Sequence, residues 1–370
     1  MFFNISLNNY ESLKLTVQNP EYINLLILVF ILCVCFASIR RTNAQRILSK
    51  DQTNQLKGLA IITVILGHLW VHAVGIIPKL IYGGEAVAMF LILSGYGLTS
   101  SCGNRKVQHG AYITARIRRV MIPYWIITVI LVTLDYFLLS RTYNMQDIVM
   151  TMLGVNVTIQ TRYIDYVRWF ITFILIWYAC YLLAASFLSD KMRVLSLYVI
   201  AAVFFLADYY VLHMGFYQFA AFPVGCTLGL YYDQIEKSLS RKPLRYLVLA
   251  AFVLSGTFIY KIMLSSVLHS SMPTIVGKAL DEAIGILFCL AVITVFGTLG
   301  IIGYRSMILC YLGIISYELF MLHGAFLIKY NPIIIRNETL LPYTFILFLL
   351  CITVIAWIAN RGIAAINAKY

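Results

Sequence analysis

The sequence predicts an all-α, polytopic membrane protein, and three observations predict it. Of its 370 residues, 61% are hydrophobic and 12% charged, with a mean hydropathy of +0.86. Soluble domains carry about 45–50% apolar and about 25% charged residues. The apolar residues come in runs of about 18–24 separated by charged clusters, the length that crosses a hydrocarbon core of about 30 Å. The net charge of +13 collects in alternate loops, a topology signal rather than a nucleic-acid footprint. The runs lack the alternation of a membrane β-barrel.

About eleven helices follow from these runs, near residues 22–39, 58–77, 85–102, 120–140, 169–189, 193–211, 214–232, 244–263, 280–300, 306–328 and 340–360. The first run ends at Arg40 and Arg41 and has no small-x-small cleavage site after it. Only Lys14 precedes it, against Glu11 and Glu21. It therefore reads as a retained helix, not a signal peptide. The second helix follows Lys57 and, from Gly58 to Pro78, carries no formal charge. The third is glycine-rich. The fourth follows the basic stretch Arg116–Arg119 and opens near Pro123. The longest stretch between helices runs from Arg141 to Arg168. The expected organisation is a segment 1–50 holding one extra helix and a ten-helix membrane domain over 51–370, with no fused soluble domain.

About two-thirds of the 28 Lys and Arg residues fall on one side of this map, among them Arg40, Arg41, Arg46, Lys50, Lys57, Arg105, Lys106, Arg116, Arg118, Arg119 and Arg241. Positive charge marks the cytoplasm. The expectation is a multi-pass protein of the cell membrane with its amino terminus outside and its carboxyl terminus inside. The 141–168 loop is then extracytoplasmic. Of the eight cysteines, six lie within apolar runs and no CxxC occurs, which reads as packing.

His68 is the unusual residue. Eleven positions past Lys57, it stands about 16 Å up the helix, near the bilayer midplane. An ionisable group there faces the protein interior or a wet cavity. It is either a neutral histidine hydrogen-bonded between helices or a base, nucleophile or proton relay. His68 and His72 share a helix face, but neither Glu nor Cys accompanies them, so no metal site is expected.

Four elements follow in order: Lys57-x10-His68; "GGEAVAMFLILSGYG", Gly83 to Gly97; "ARIRRVMIPYW", Ala115 to Trp125, with Arg116-x-x-Arg119; and "YLGIISYELFMLH", Tyr311 to His323. In this order and spacing the chain resembles the membrane-bound acyltransferase-3 family, integral membrane O-acyltransferases of cell-surface glycans, from about Asn54 to Asn360. Two departures are the Ala86–Leu91 stretch, where the family usually has Gly-Val-x-x-Phe-Phe, and the extra helix at 22–39.

The resemblance implies acyl transfer, most simply O-acetyl transfer, from cytoplasmic acyl-CoA (acetyl-CoA) to a hydroxyl of a polysaccharide or lipid-linked saccharide, with no permanently bound cofactor. CoA carries phosphates, and Lys57, Arg105, Arg116, Arg118 and Arg119 offer cations for them. A topology device would look the same. His68 is the expected catalytic base, with acetyl-histidine as the other role. His323 would orient the acceptor or support an oxyanion, and Glu85 would pair with His68 or Lys57, or cap a helix. Ser94, Tyr96, Asp165, Arg168, Trp169 and Ser316 are the expected acceptor contacts, although an interfacial aromatic belt would resemble the loop's share of these. The acyl group passes to the acceptor directly or through a separate extracytoplasmic transferase. A transporter of small polar solutes or lipid-linked sugars is the competing class, but no matched pair of broken helices joins the two halves.

Overall fold

The computed structural model describes residues 16–102, 108–156, 164–212, 218–330 and 341–367. Among them, nine helices are long and apolar enough to cross a membrane, and ten if a bent pair forms one span. Helix α1 (Pro20–Ala37) leads through β1 (Ile39–Arg41) to α2 (Lys50–His68), which continues as a π-helical turn, Leu69–Val74. Then come α3 (Gly83–Cys102), α4 (His109–Arg116), a π-helical turn at Ile117–Met121, α5 (Ile122–Leu139) and the short α6 (Met145–Met152). A 3₁₀ turn at Tyr166–Arg168 opens α7 (Trp169–Phe187). The rest are α8 (Asp190–Ala207), α9 (Ala221–Leu230), α10 (Tyr232–Arg241), α11 (Pro243–Ile259), α12 (Ser265–Ser271), α13 (Thr274–Ile301), β2 (Tyr304–Ser306), α14 (Met307–Ile314), α15 (Ser316–Ile328) and α16 (Tyr343–Asn367).

The helix expected at 214–232 is the one that differs most. Its described part, Ala221–Leu230, is ten residues, about 15 Å of helix and half a hydrocarbon core. It is buried against α3 instead of crossing by itself. The run at 306–328 is also broken, with α14 and α15 meeting at 75°. Ser316 Oγ donates to Gly313 O at the break (2.9 Å).

Helices α2, α3, α9 and α15 form the interior, and small residues let their backbones touch. A Cβ on Gly58 would stand 2.1 Å from Leu309 O on α14, and one on Gly225 would stand 2.0 Å from Ile92 O on α3. With no hydrophobic drive between helices in lipid, such close packing supplies the association. α1 is peripheral, and only Asn24 and Ile27 are buried in it. Asn24 Nδ2 donates to Leu80 O and Trp70 Nε1 donates to Asn24 Oδ1 (3.1 and 2.8 Å). At the other end of α1, β1 pairs antiparallel with β2.

Candidate active site

His68 is the last residue of α2, where the helix loosens into the Leu69–Val74 turn. Such π-helical turns recur at functional sites. The turn places the His72 ring at 5.5 Å from His68, edge to face. From α15, His323 meets His68 with near-parallel rings, and His68 Nδ1 lies 2.7 Å from His323 Nε2. His323 is fully buried, and its Nδ1 lies 3.0 Å from Leu319 O.

These two distances fix the protons. A carbonyl only accepts, so His323 Nδ1 carries the hydrogen and donates to Leu319 O. In a neutral imidazole the other nitrogen then holds the lone pair, so His323 Nε2 accepts and His68 Nδ1–H donates to it. His68 Nε2 is left with a lone pair as the open end of this relay.

The loop before α7 covers the pair. The Tyr166 ring lies 3.7 Å from that of His72 and 5.0 Å from that of His68. The loop can seat because residue 324 is glycine: a Cβ there would stand 2.3 Å from Asp165 Oδ1 and 2.9 Å from Val167 Cγ1. A buried ion pair ties the loop down from behind. Lys329 Nζ donates to Asp135 Oδ2 (2.7 Å) and Ile164 O (2.9 Å), and the Tyr143 and Tyr330 hydroxyls donate to Asp135.

Three residues of this loop hold buried polar atoms without a hydrogen-bond partner among the described residues: Asp165 Oδ2, the Tyr166 hydroxyl, and Arg168 Nε and Nη2. Arg168 is fully buried, donates to Thr128 Oγ1 (2.6 Å) and stacks on Tyr124. Burial pushes the Asp165 carboxyl up to about 6, against the pull of Arg168. Leaving a buried polar group unpaired costs about 1–3 kcal/mol, so three in one turn mark a place built for a polar ligand.

Eleven residues before His68 on α2, about 16 Å of helix, Lys57 is half-buried and close enough to Arg119 for the two charges to repel. Two like charges held together favour an anion between them.

A family model described as an acyltransferase domain matches residues 51–361. The chain belongs to the acyltransferase-3 family. No curated protein and no solved structure matches it. It is a multi-pass membrane acyltransferase, and α1 precedes the matched region.

The structure brings His68 and His323 together, with Asp165 and Arg168 in the turn that covers them and the Arg168 guanidinium turned toward α5, and it sets Lys57 near Arg119, eleven residues back along α2 from His68. Trp169 packs beside this group, against Phe170 and Phe173. Other expectations need correction. Glu85 pairs with neither His68 nor Lys57. It forms an ion pair with Lys261 (2.6 Å), from another π-helical turn, Tyr260–Leu264. Glu85 of that pair borders an apolar cavity of about 400 Å³ whose walls include Leu28, Leu59, Leu66 and Phe288. Leu59 is nine residues before His68, half a turn round the helix, so this cavity lies on the opposite face of α2.

Tyr96 is not at the loop end. It packs on Tyr232, with its hydroxyl toward Leu48 O, and Leu48 lies just before α2, about 27 Å of helix from His68. The Ser316 hydroxyl is occupied by Gly313 O. Ser94 is half-buried in mid-α3, and no hydrogen bond joins it to His68 or His323. Arg116 and Arg119 do not form one fork. The Ile117–Met121 turn rotates them apart, and Arg116 stacks on Tyr112 and Tyr178 (5.4 and 5.2 Å) while Arg119 is exposed. Arg118 is exposed too, and Arg105 lies outside the described residues. Sequence reasoning missed Tyr166 and Lys329. Tyr166 sits between two residues it did single out, but nothing local aims a tyrosine at a histidine on another helix.

Proposed function

We propose that the chain transfers an acyl group, acetyl in the simplest case, from cytoplasmic acyl-CoA to a hydroxyl of a cell-surface or exported saccharide. The observation that carries this reading is the relay Leu319–His323–His68, which leaves His68 Nε2 as a base at mid-depth.

The chemistry follows from the placement. The CoA phosphates bind at the basic end, near Lys57 and Arg119, where charge-assisted bonds to phosphate are strong. The pantetheine arm reaches up the bundle, bringing the thioester to His68. The saccharide enters from the other side under the loop at Asp165–Trp169, where a carboxylate oxygen and guanidinium hydrogens together suit the paired donor and acceptor character of sugar hydroxyls. His68 Nε2 removes the acceptor proton as its oxygen attacks the thioester carbon. His323 accepts from His68 Nδ1–H throughout, and so stabilises the imidazolium and fixes its ring. The proton then leaves with the thiolate. General-base help of this kind contributes about 10²–10⁴-fold. The proposed orientation, with the amino terminus outside and the carboxyl terminus inside the cell membrane, counts the 214–232 stretch as one of eleven crossings, α9 supplying its described half beside the ten spans that include the bent α14–α15 pair.

The test is mass spectrometry of surface saccharides from cells carrying wild type, a deletion or His68→Ala at matched protein level. The expected result is ester loss in the last two, with acetyl-CoA binding to purified His68→Ala protein retained. Normal esterification by His68→Ala would reduce the residue to packing.

A further inference from the structure

We propose that Tyr166 is the oxyanion donor of this site: its hydroxyl hydrogen-bonds the thioester carbonyl oxygen as negative charge develops there. The proposal rests on the acyl-transfer reading and adds to it a residue and a role. Among the described residues of the covering loop, Tyr166 is the one whose ring touches both His72 and His68, at 3.7 and 5.0 Å between centroids. Its hydroxyl is buried and has no hydrogen-bond partner among the described residues. Phenylalanine would pack the same rings without leaving a donor unmet, so packing does not account for the hydroxyl.

Among the described residues of the loop, Arg168 also holds unmet donors, but its guanidinium is turned away from Tyr166, toward α5. A 3₁₀ turn has about three residues per turn, so positions 166 and 168 diverge by two-thirds of a turn. The Arg168 guanidinium accordingly lies over Tyr124 and bonds Thr128 on α5. Asp165 offers only acceptors when ionised. Tyr166 is thus the donor beside the base.

Chemistry selects which substrate oxygen it serves. A donor aimed at the attacking oxygen would draw off the electron density that attack needs. A donor aimed at the carbonyl oxygen helps most where charge builds, in a site shielded from water. The step balances. The acceptor O–H bond breaks and its proton goes to His68 Nε2. The acceptor oxygen bonds the carbonyl carbon, and the carbonyl π pair moves onto oxygen, where the Tyr166 O–H holds it. That pair then re-forms C=O, the C–S bond breaks, and the thiolate leaves with the proton from His68.

Tyr166→Phe removes one oxygen and keeps the ring. The assay is CoA release from acetyl-CoA by detergent-solubilised full-length protein, with water standing in for the acceptor, beside ester content of surface saccharide in cells. Tyr166→Phe is expected to bind acetyl-CoA as wild type does and to release CoA about 10²–10³-fold more slowly, as loss of one oxyanion donor elsewhere does. A second variant carries 3,5-difluorotyrosine at 166. It keeps the hydroxyl but ionises at lower pH, so its alkaline loss of rate should set in at lower pH than wild type. A rate for Tyr166→Phe within threefold of wild type, or an unmoved alkaline limb in the difluoro variant, overturns the proposal. So does saccharide ester loss with hydrolysis intact, which would make the hydroxyl an acceptor contact. CoA release that does not require His68 fails the acyl-transfer reading itself. Release that requires His68 but not the hydroxyl fails this inference alone.

Discussion

Replacing His323 tests the relay without touching the base. His323→Ala removes the nitrogen that accepts from His68 Nδ1 at 2.7 Å. That hydrogen bond, between buried neutral groups, contributes about 0.5–1.5 kcal/mol net. It alone biases the His68 tautomer by up to about tenfold, since 1.4 kcal/mol is a factor of ten. The Ala variant also frees the imidazole to rotate and leaves the imidazolium unsupported, which draws on the further 10²–10⁴ that a positioned base provides. The expected result is a fall in CoA release of about 10²-fold or more, with acetyl-CoA affinity unchanged. His323→Gln separates this from simple loss of packing. Its amide oxygen can accept from His68 Nδ1–H, so it should recover a substantial part of the rate, whereas His323→Leu, of similar bulk but with no acceptor, should not. The assay is CoA release by purified protein, normalised to folded protein by size-exclusion chromatography. Equal activity for Gln and Leu, or near-normal activity for Ala, would refute the relay and leave His323 as a filler of the bundle.

Two further outcomes follow from charge. Arg119→Ala should weaken acetyl-CoA binding about tenfold or more, because a charge-assisted phosphate contact contributes about 1.5–3 kcal/mol. Arg116→Ala, which loses its stacking on Tyr112 and Tyr178, should lower the melting temperature more than the donor affinity. Calorimetric titration with CoA beside thermal melts separates the two, and equal affinity losses would restore a shared phosphate site. For Asp165, burial raises the folded-state pKa from 3.8 to about 6. The folded chain therefore holds that proton more tightly than the unfolded chain, and stability falls as pH rises from about 4 to about 6. The loss is on the order of 3 kcal/mol. Asp165→Asn keeps the acceptor for Val167 N–H (3.2 Å in wild type) and lacks this titration. Its melting temperature should match wild type near pH 4 and exceed it above pH 6. Parallel melting curves across that range would count against a buried carboxyl.

Local pattern was enough for the class of protein and the position of its long helices. Uninterrupted apolar length is a property of the chain itself, because a bilayer requires every backbone group to be paired within its own helix. So α1, α2, α3, α5, α7, α8, α11, α13 and α16 stand close to their apolar runs. The short α9 and the bend before α15 escaped, because an apolar run looks the same whether it crosses the membrane or is buried within the bundle. His68 was legible for the same reason: an uncharged run with one titratable ring stands out without any knowledge of its neighbours. What the ring does was not legible. His68 and His323 are 255 residues apart, and only the crossing of α2 and α15 sets their nitrogens in line and fixes which one keeps its lone pair. Tyr166 reaches both α2 histidines because Gly324 admits the loop and Lys329 with Asp135 holds it. Glu85 shows the converse. Its acid in an apolar helix was conspicuous, yet the partner, Lys261, comes from a π-helical turn far along the chain. Sequence by itself determined which residues are costly to bury, since that cost belongs to each side chain. Tertiary structure alone decided what meets that cost, since hydrogen bonds and ion pairs act over about 3 Å and only packing sets distances on that scale.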